Sequence, residues 1–138
     1  MSPKSERGRL RADIGALHLK ILKLKRGDIC EIHNRKCGVI GRMHILPVGR
    51  YPRLEFTEIN VILTSWFCSH FYTHHDFRDK RAQFTEKRIL ELRGHKTRED
   101  LETELKILHK TMPRHDIGYL KLLKIAFQQE LNELKERL

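Results

Sequence analysis

Residues 41–76 read GRMHILPVGRYPRLEFTEINVILTSWFCSHFYTHHD, and the order of elements in this stretch decides the fold. Just before and inside it, the short apolar pairs Val39-Ile40 and Ile45-Leu46 are divided by Gly38, Gly41 and Arg42-Met43, a pattern of strand and turn. Pro47, Gly49 and Pro52 then mark a loop, VGRYPRLE, that carries Arg50 and Arg53. A second strand is expected at about Ile59 to Leu63, and Thr64 or Ser65 can cap a short helix over 66–75 through its hydroxyl. His70 and His74 lie four residues apart, so on a helix their imidazoles share a face one turn apart, a spacing that can hold one divalent ion. His44 ends the first strand, and Asn60 opens the second 16 residues later.

Strand with histidine, loop, strand with asparagine and helix with histidine resembles the ββα-metal finger of the HNH nucleases. With cysteines before the first strand and beside the helix, it is most similar to the zinc-supported HNH nucleases of phages, including recombination-type ones. The resemblance covers Cys30 to Asp76, about a third of the chain. It implies that His44 is a general base activating water, a task that suits an imidazole neutral near pH 7. It implies that Asn60 orients His44 by holding the strands and loop, and that His70 and His74 ligate one divalent cation (Mg, Mn, Ni or Zn) at the scissile phosphate. Many members carry a further metal ligand immediately before the general base. Here that position is Met43, a poor partner for a hard ion, which leaves the place to substrate and water, to His75 or to Asp76. Relatives often hold a structural zinc with two CxxC pairs. This chain has Cys30-x2-His33 or Cys30-x6-Cys37 for the first, and Ser65 with Cys68 for the second, so Cys30, His33, Cys37 and Cys68 are the candidate ligands.

Outside the finger, Leu10, Ile14, Leu17, Ile21 and Leu24 draw one apolar stripe along a helix expected over 9–26, which Gly27 stops. Its other face is rich in Arg and Lys and is either solvated or offered to a partner. After Asp76 come three charged helical segments, residues 79–94, 97–112 and 116–138, with Thr97 and Asp100 in the pattern of a capping box and Asp116 placed to cap the last helix. In that last helix Leu120, Leu123, Phe127, Leu131, Leu134 and Leu138 form a stripe that completes the core or makes a homodimer. The expected architecture is α+β and mostly helical. One domain spans 1–138, with the N-terminal helix at 9–26, the finger at 28–77 and the C-terminal helices at 78–138.

Composition narrows the partners. Hydrophobic residues make up 39% and charged residues 33%, and no run approaches the roughly 18 apolar residues of a membrane span. The N-terminus lacks the apolar run of a secretory signal, which points to the cytoplasm of a bacterial or phage-infected cell. With 28 Lys and Arg against 18 Asp and Glu, the net charge of +10 favours a polyanion, with DNA the leading candidate. Arg42, Arg50 and Arg53, close to His44 in sequence, are the expected phosphate contacts. The resulting expectation is a metal-dependent endonuclease hydrolysing a DNA phosphodiester. The alternative is a zinc-stabilised nucleic-acid-binding module without catalysis, which would need neither His44 nor Asn60 at those positions.

Overall fold

A long amphipathic helix comes first because Ser5 caps it. The Ser5 hydroxyl accepts the Gly8 amide at 3.0 Å, and helix α1 then runs from Glu6 to Arg26. Gly27 ends it at φ 94, a backbone setting that a side chain would strain. The computed structural model describes residues 5–66 and 80–138. Among these residues, strand β1 (Ile40–His44) and strand β2 (Val61–Ser65) follow, joined by a loop that contains a 3-10 turn at Pro52–Leu54. Then come α2 (Lys80–Arg93), α3 (Arg98–Thr111) and α4 (Ile117–Glu136), so the architecture is α+β and mostly helical. Thr97 caps α3 by accepting the Asp100 amide at 3.1 Å, and Asp116 caps α4 by accepting the Tyr119 amide at 2.8 Å. Each such cap contributes about 1 kcal/mol.

The two strands pair antiparallel, with Ile40 opposite Ser65, Arg42 opposite Leu63 and His44 opposite Val61. The second strand starts two residues later than its apolar pattern suggests, because Glu58 to Val61 form a turn closed by the Val61 amide on the Glu58 carbonyl. Every residue of β2 is buried. Its outer edge would therefore leave polar backbone unpaired, a costly arrangement that side chains relieve. The Val61 carbonyl accepts from Arg26 at 2.7 Å and from Arg93 at 2.6 Å. Glu31 completes the edge: its carboxylate takes the Leu63 amide at 2.6 Å and its own amide donates to the Leu63 carbonyl at 2.8 Å.

Two apolar clusters hold these parts together. The larger gathers both strands with Leu22, Ile32, Leu54, Ile89, Leu101 and Leu105. The smaller joins Leu10, Ile14, Phe56 and Leu120, with Leu123 and Phe127 packed on it, and so seats α4 against α1. Full burial of each Leu or Ile in these clusters contributes about 1.5–3 kcal/mol. Ion pairs from Lys121 to Glu6, Lys124 to Asp13 and Lys25 to Glu130 follow the same order along both helices, so α1 and α4 run in the same direction. The leucine stripe of the last helix thus packs within the chain at Leu120 and Leu131, while Leu138 is 87% exposed.

Candidate active site and metal centre

β1 delivers His44 as its last paired residue, and the chain then leaves the sheet for the loop at 45–60. Once out of the sheet, the Ile45 and Leu46 backbone needs new partners, and Asn60 supplies them. Its carbonyl takes the Ile45 amide at 2.8 Å, its Oδ1 takes the Leu46 amide at 2.8 Å, and its Nδ2 donates to the Leu46 carbonyl at 3.1 Å. Asn60 is fully buried, so no water competes for these bonds. The two ends of the loop are pinned together directly beyond His44.

The imidazole is fixed by the middle of the same loop. His44 Nε2 lies 2.9 Å from the Glu55 carbonyl oxygen. A carbonyl only accepts, so Nε2 carries the proton and Nδ1 carries the lone pair. Burial holds His44 below its ordinary pKa, and the nearby Arg42 charge adds to this, while the bond to Glu55 opposes it. The ring is therefore neutral near pH 7 and chemically a base. Glu55 is itself clamped, its carboxylate held by Arg11 through Nε at 2.8 Å and Nη2 at 3.0 Å.

Arg42, expected from the sequence to grip phosphate, is turned inward. Its Nη1 donates to the Glu55 carbonyl at 3.0 Å and approaches His18 Nδ1 at 3.1 Å, and its guanidinium lies 5.4 Å from the centre of the Phe56 ring. A Cβ at Gly15 would come within 2.7 Å of Arg42 Nη2, so a side chain there would require the guanidinium to shift. Arg42 therefore braces the loop beneath His44. Arg50 is exposed, and Arg53 is half-buried with Nη1 on the Met112 carbonyl at 3.2 Å.

His18 is the residue of this neighbourhood that sequence reasoning missed. It is 2% exposed, stacked on Phe127 at 5.3 Å and edge-on to Phe56 at 6.3 Å, and its Nε2 is buried with no partner among the described residues. Burial first, and then the Arg42 charge, push its pKa down to about 3, so it stays neutral. Its position four residues after Ile14 and three before Ile21 puts it on the apolar stripe, which was the available signal.

Cys30, His33 and Cys37 converge on one point, their ligand atoms all within 4.8 Å of one another. The local cause is a tight turn. The Cys30 amide donates to the Arg35 carbonyl at 2.9 Å, and Asn34 takes a left-handed φ of 53, a conformation that asparagine tolerates better than most residues. This folds His33 back toward Cys30, with Nδ1 3.9 Å from Sγ. A tetrahedral zinc with Zn–S near 2.3 Å and Zn–N near 2.0 Å sets neighbouring ligand atoms about 3.5–3.8 Å apart, so the cluster is close to the required spacing. His33 is stacked on Phe84 of α2 at 5.6 Å, which orients its ring.

Burial would push the Cys30 thiol up, but hydrogen bonds from the Thr64 hydroxyl and from the backbone and ring of His33 outweigh it and hold the pKa down to about 6. The thiolate, the form that ligates metal, therefore predominates at pH 7. Cys37 Sγ donates to the Ser65 hydroxyl at 3.6 Å, so the end of β2 adjoins the cluster. The group can bind a metal such as zinc.

The remaining candidates Cys68, His70 and His74, with His75 and Asp76, lie outside the described residues. Met43 is 6% exposed and packs in the larger core cluster, so the position before His44 offers no ligand to a metal. Comparison with protein-family models, curated proteins and solved structures gives no match.

Proposed function

We propose that the chain is a metal-dependent DNA endonuclease of the HNH type, acting in the cytoplasm of a bacterial or phage-infected cell. The observation that carries this reading is the setting of His44, neutral and tethered through Nε2 to the Glu55 carbonyl, with Nδ1 left as the basic nitrogen. In this role His44 takes a proton from the attacking water. Asn60 and Arg42 keep the loop, and hence His44, in register, and Arg50 and Arg53 are the loop cations left to meet the DNA backbone. A divalent cation held by His70 and His74 would supply positive charge at the phosphate undergoing hydrolysis. Cys30, His33 and Cys37, with Cys68, would hold a structural zinc. The partners in this reading are DNA and, through the C-terminal helices, a second copy of the chain.

The burial of Met43 favours a second reading, a zinc-stabilised nucleic-acid-binding module without catalysis, since one family ligand position is closed. Incubation with supercoiled plasmid in Mg²⁺, Mn²⁺ or Ni²⁺, beside an EDTA control and the His44→Ala protein, separates the two. Metal-dependent nicking that disappears in a folded His44→Ala protein is the expected result. Salt-sensitive DNA binding with no cleavage of plasmid or branched DNA in any metal would overturn the enzyme and leave the binding module.

A further inference from the structure

Away from His44, a cleft of about 340 Å³ opens where the start of α1, the 3-10 turn and the approach to α4 meet. Arg7, Arg53 and Arg114 line it, together with His109, His115 and Asp116. None of the three arginines forms an ion pair among the described residues, whereas Arg11, Lys121 and Lys124 each do. The Asp116 carboxylate is occupied in part by the Tyr119 amide of its own helix. Three positive charges thus face one carboxylate already engaged as a helix cap.

The two histidines are held in place. His115 is 6% exposed and sandwiched between Phe56 at 5.5 Å and Tyr119 at 5.5 Å. His109 packs edge-on to Tyr51 at 5.4 Å, and its Nε2 is buried without a partner among the described residues. Burial and then Arg53 lower the His109 pKa. For His115, burial is again the largest cause, the Glu55 charge opposes it, and Arg7, Arg11 and Arg53 add to the lowering. Burial thus keeps both rings neutral, and the arginine charges around the cleft act in the same direction.

We propose that this cleft binds a backbone phosphate of the DNA strand, with Arg7, Arg53 and Arg114 as the charged contacts and His109 and His115 as N–H donors. The proposal rests on DNA being the partner, as in the function proposed above, but not on catalysis. Arg53 ties the two regions together, since it sits two residues before Glu55, whose carbonyl holds His44. A phosphate seated here would fix the strand at a second point along the loop that carries the base.

The test is fluorescence anisotropy of a labelled DNA oligonucleotide without added divalent metal, over a salt series, so that a lack of cleavage cannot mask binding. The triple variant Arg7→Ala, Arg53→Ala, Arg114→Ala should bind about 10- to 100-fold more weakly at low salt, and its salt slope should fall by about 1, the share of one phosphate. A control triple, Lys20→Ala, Lys87→Ala, Lys106→Ala, removes the same charge from exposed positions outside the cleft and should keep most of the slope. Because Arg53 also bonds the Met112 carbonyl, Arg114→Glu, at an exposed residue without hydrogen bonds among the described residues, is measured alone and should weaken binding about 10-fold with an unchanged melting curve. Proton NMR should show the His109 and His115 ring signals moving with micromolar oligonucleotide, and with inorganic phosphate only at millimolar levels. Equal losses in the two triples, unchanged binding by Arg114→Glu, or inorganic phosphate matching the oligonucleotide would each overturn the proposal. Binding through the cleft without plasmid nicking would instead remove only the enzyme reading.

Discussion

Replacing Asn60 by alanine tests the part of the site on which His44 depends. The side chain makes two good hydrogen bonds to Leu46, one to its amide at 2.8 Å and one to its carbonyl at 3.1 Å, in a fully buried position. Alanine satisfies neither group, and each buried orphan costs about 1–3 kcal/mol, so the expected loss is about 2–6 kcal/mol. Against a total stability of about 5–15 kcal/mol for a domain, that is large but survivable. Urea denaturation of both proteins at pH 7.5 reads it directly, as a shift in midpoint of about 1–2 M at unchanged slope. Asn60→Asp sharpens the test, since a carboxylate can still accept the Leu46 amide but opposes the Leu46 carbonyl. Its buried carboxyl should have a raised pKa and, once protonated, can donate to that carbonyl. The Asp variant should therefore regain stability relative to the Ala variant as pH falls through the raised pKa. Under conditions where Asn60→Ala remains folded, plasmid nicking should drop by more than the unfolded fraction explains, because the loop holding His44 has lost its tie. A stability within about 0.5 kcal/mol of wild type would refute the clamp, and full nicking by a folded Asn60→Ala protein would refute its link to His44.

Three other outcomes follow from the same geometry. His18 has a folded pKa of about 3 against an ordinary value of 6.5, so the unfolded chain takes up the proton first and stability present above pH 6.5 is lost as pH falls, by about 2 kcal/mol at pH 5. Urea denaturation of His18→Gln at pH 7.5 and pH 5 should show about 2 kcal/mol less of that loss, and parallel behaviour of the two proteins would contradict a buried neutral His18. Purified protein should carry about one zinc per chain by elemental analysis, and Cys30→Ser should lose it; free zinc at about 100 times its Kd should stabilise the stripped wild type by about 2.7 kcal/mol, with no stabilisation counting against the site. Because His44 is held below its ordinary pKa, single-turnover nicking should rise with pH only up to an inflection below 6.5 and stay flat above it, whereas an inflection above 6.5 would argue for another base.

Much of this was legible in the chain because local rules and tertiary packing agree there. The caps at Thr97 and Asp116, the stop at Gly27 and the strand ending in His44 all appear where residue type and spacing put them. The pairing of Asn60 with the backbone beyond His44 was expected in role, while its partners on Leu46 emerge only from the folded chain. Arg42 was harder to read. In a strand its side chain must take one face or the other, and the sequence does not say that Gly15 and His18 of α1 make an inward pocket for a guanidinium. The stripe of α1 likewise drifts. Spacings of three and four admit both Leu17 and His18; packing on α4 buries His18 and packing on the strands buries Leu22, while Leu24 is left 38% exposed. The cluster of Cys30, His33 and Cys37 was half legible, since residue types name the ligands but only the left-handed Asn34 shows how so short a spacing brings them together.

The helices that make up most of the chain have a physical task that the two strands alone could not meet. A two-stranded sheet is marginal in water by itself, and here the inner strand is buried along its whole length with one edge facing away from its partner. Arg26 at the end of α1 and Arg93 at the end of α2 both reach the Val61 carbonyl on that edge, and Glu31 of the metal-cluster turn covers Leu63. The register of β2 is thus tied to both flanking helices and to the turn that presents Cys30. Since Val61 is opposite His44 and follows Asn60, a shift in any of these supports would be felt at His44. Arg93→Ala removes the 2.6 Å bond to the Val61 carbonyl, so it should lower stability in urea denaturation and, in the proposed nuclease, slow nicking as well; wild-type stability in that variant would contradict this support of the strand edge.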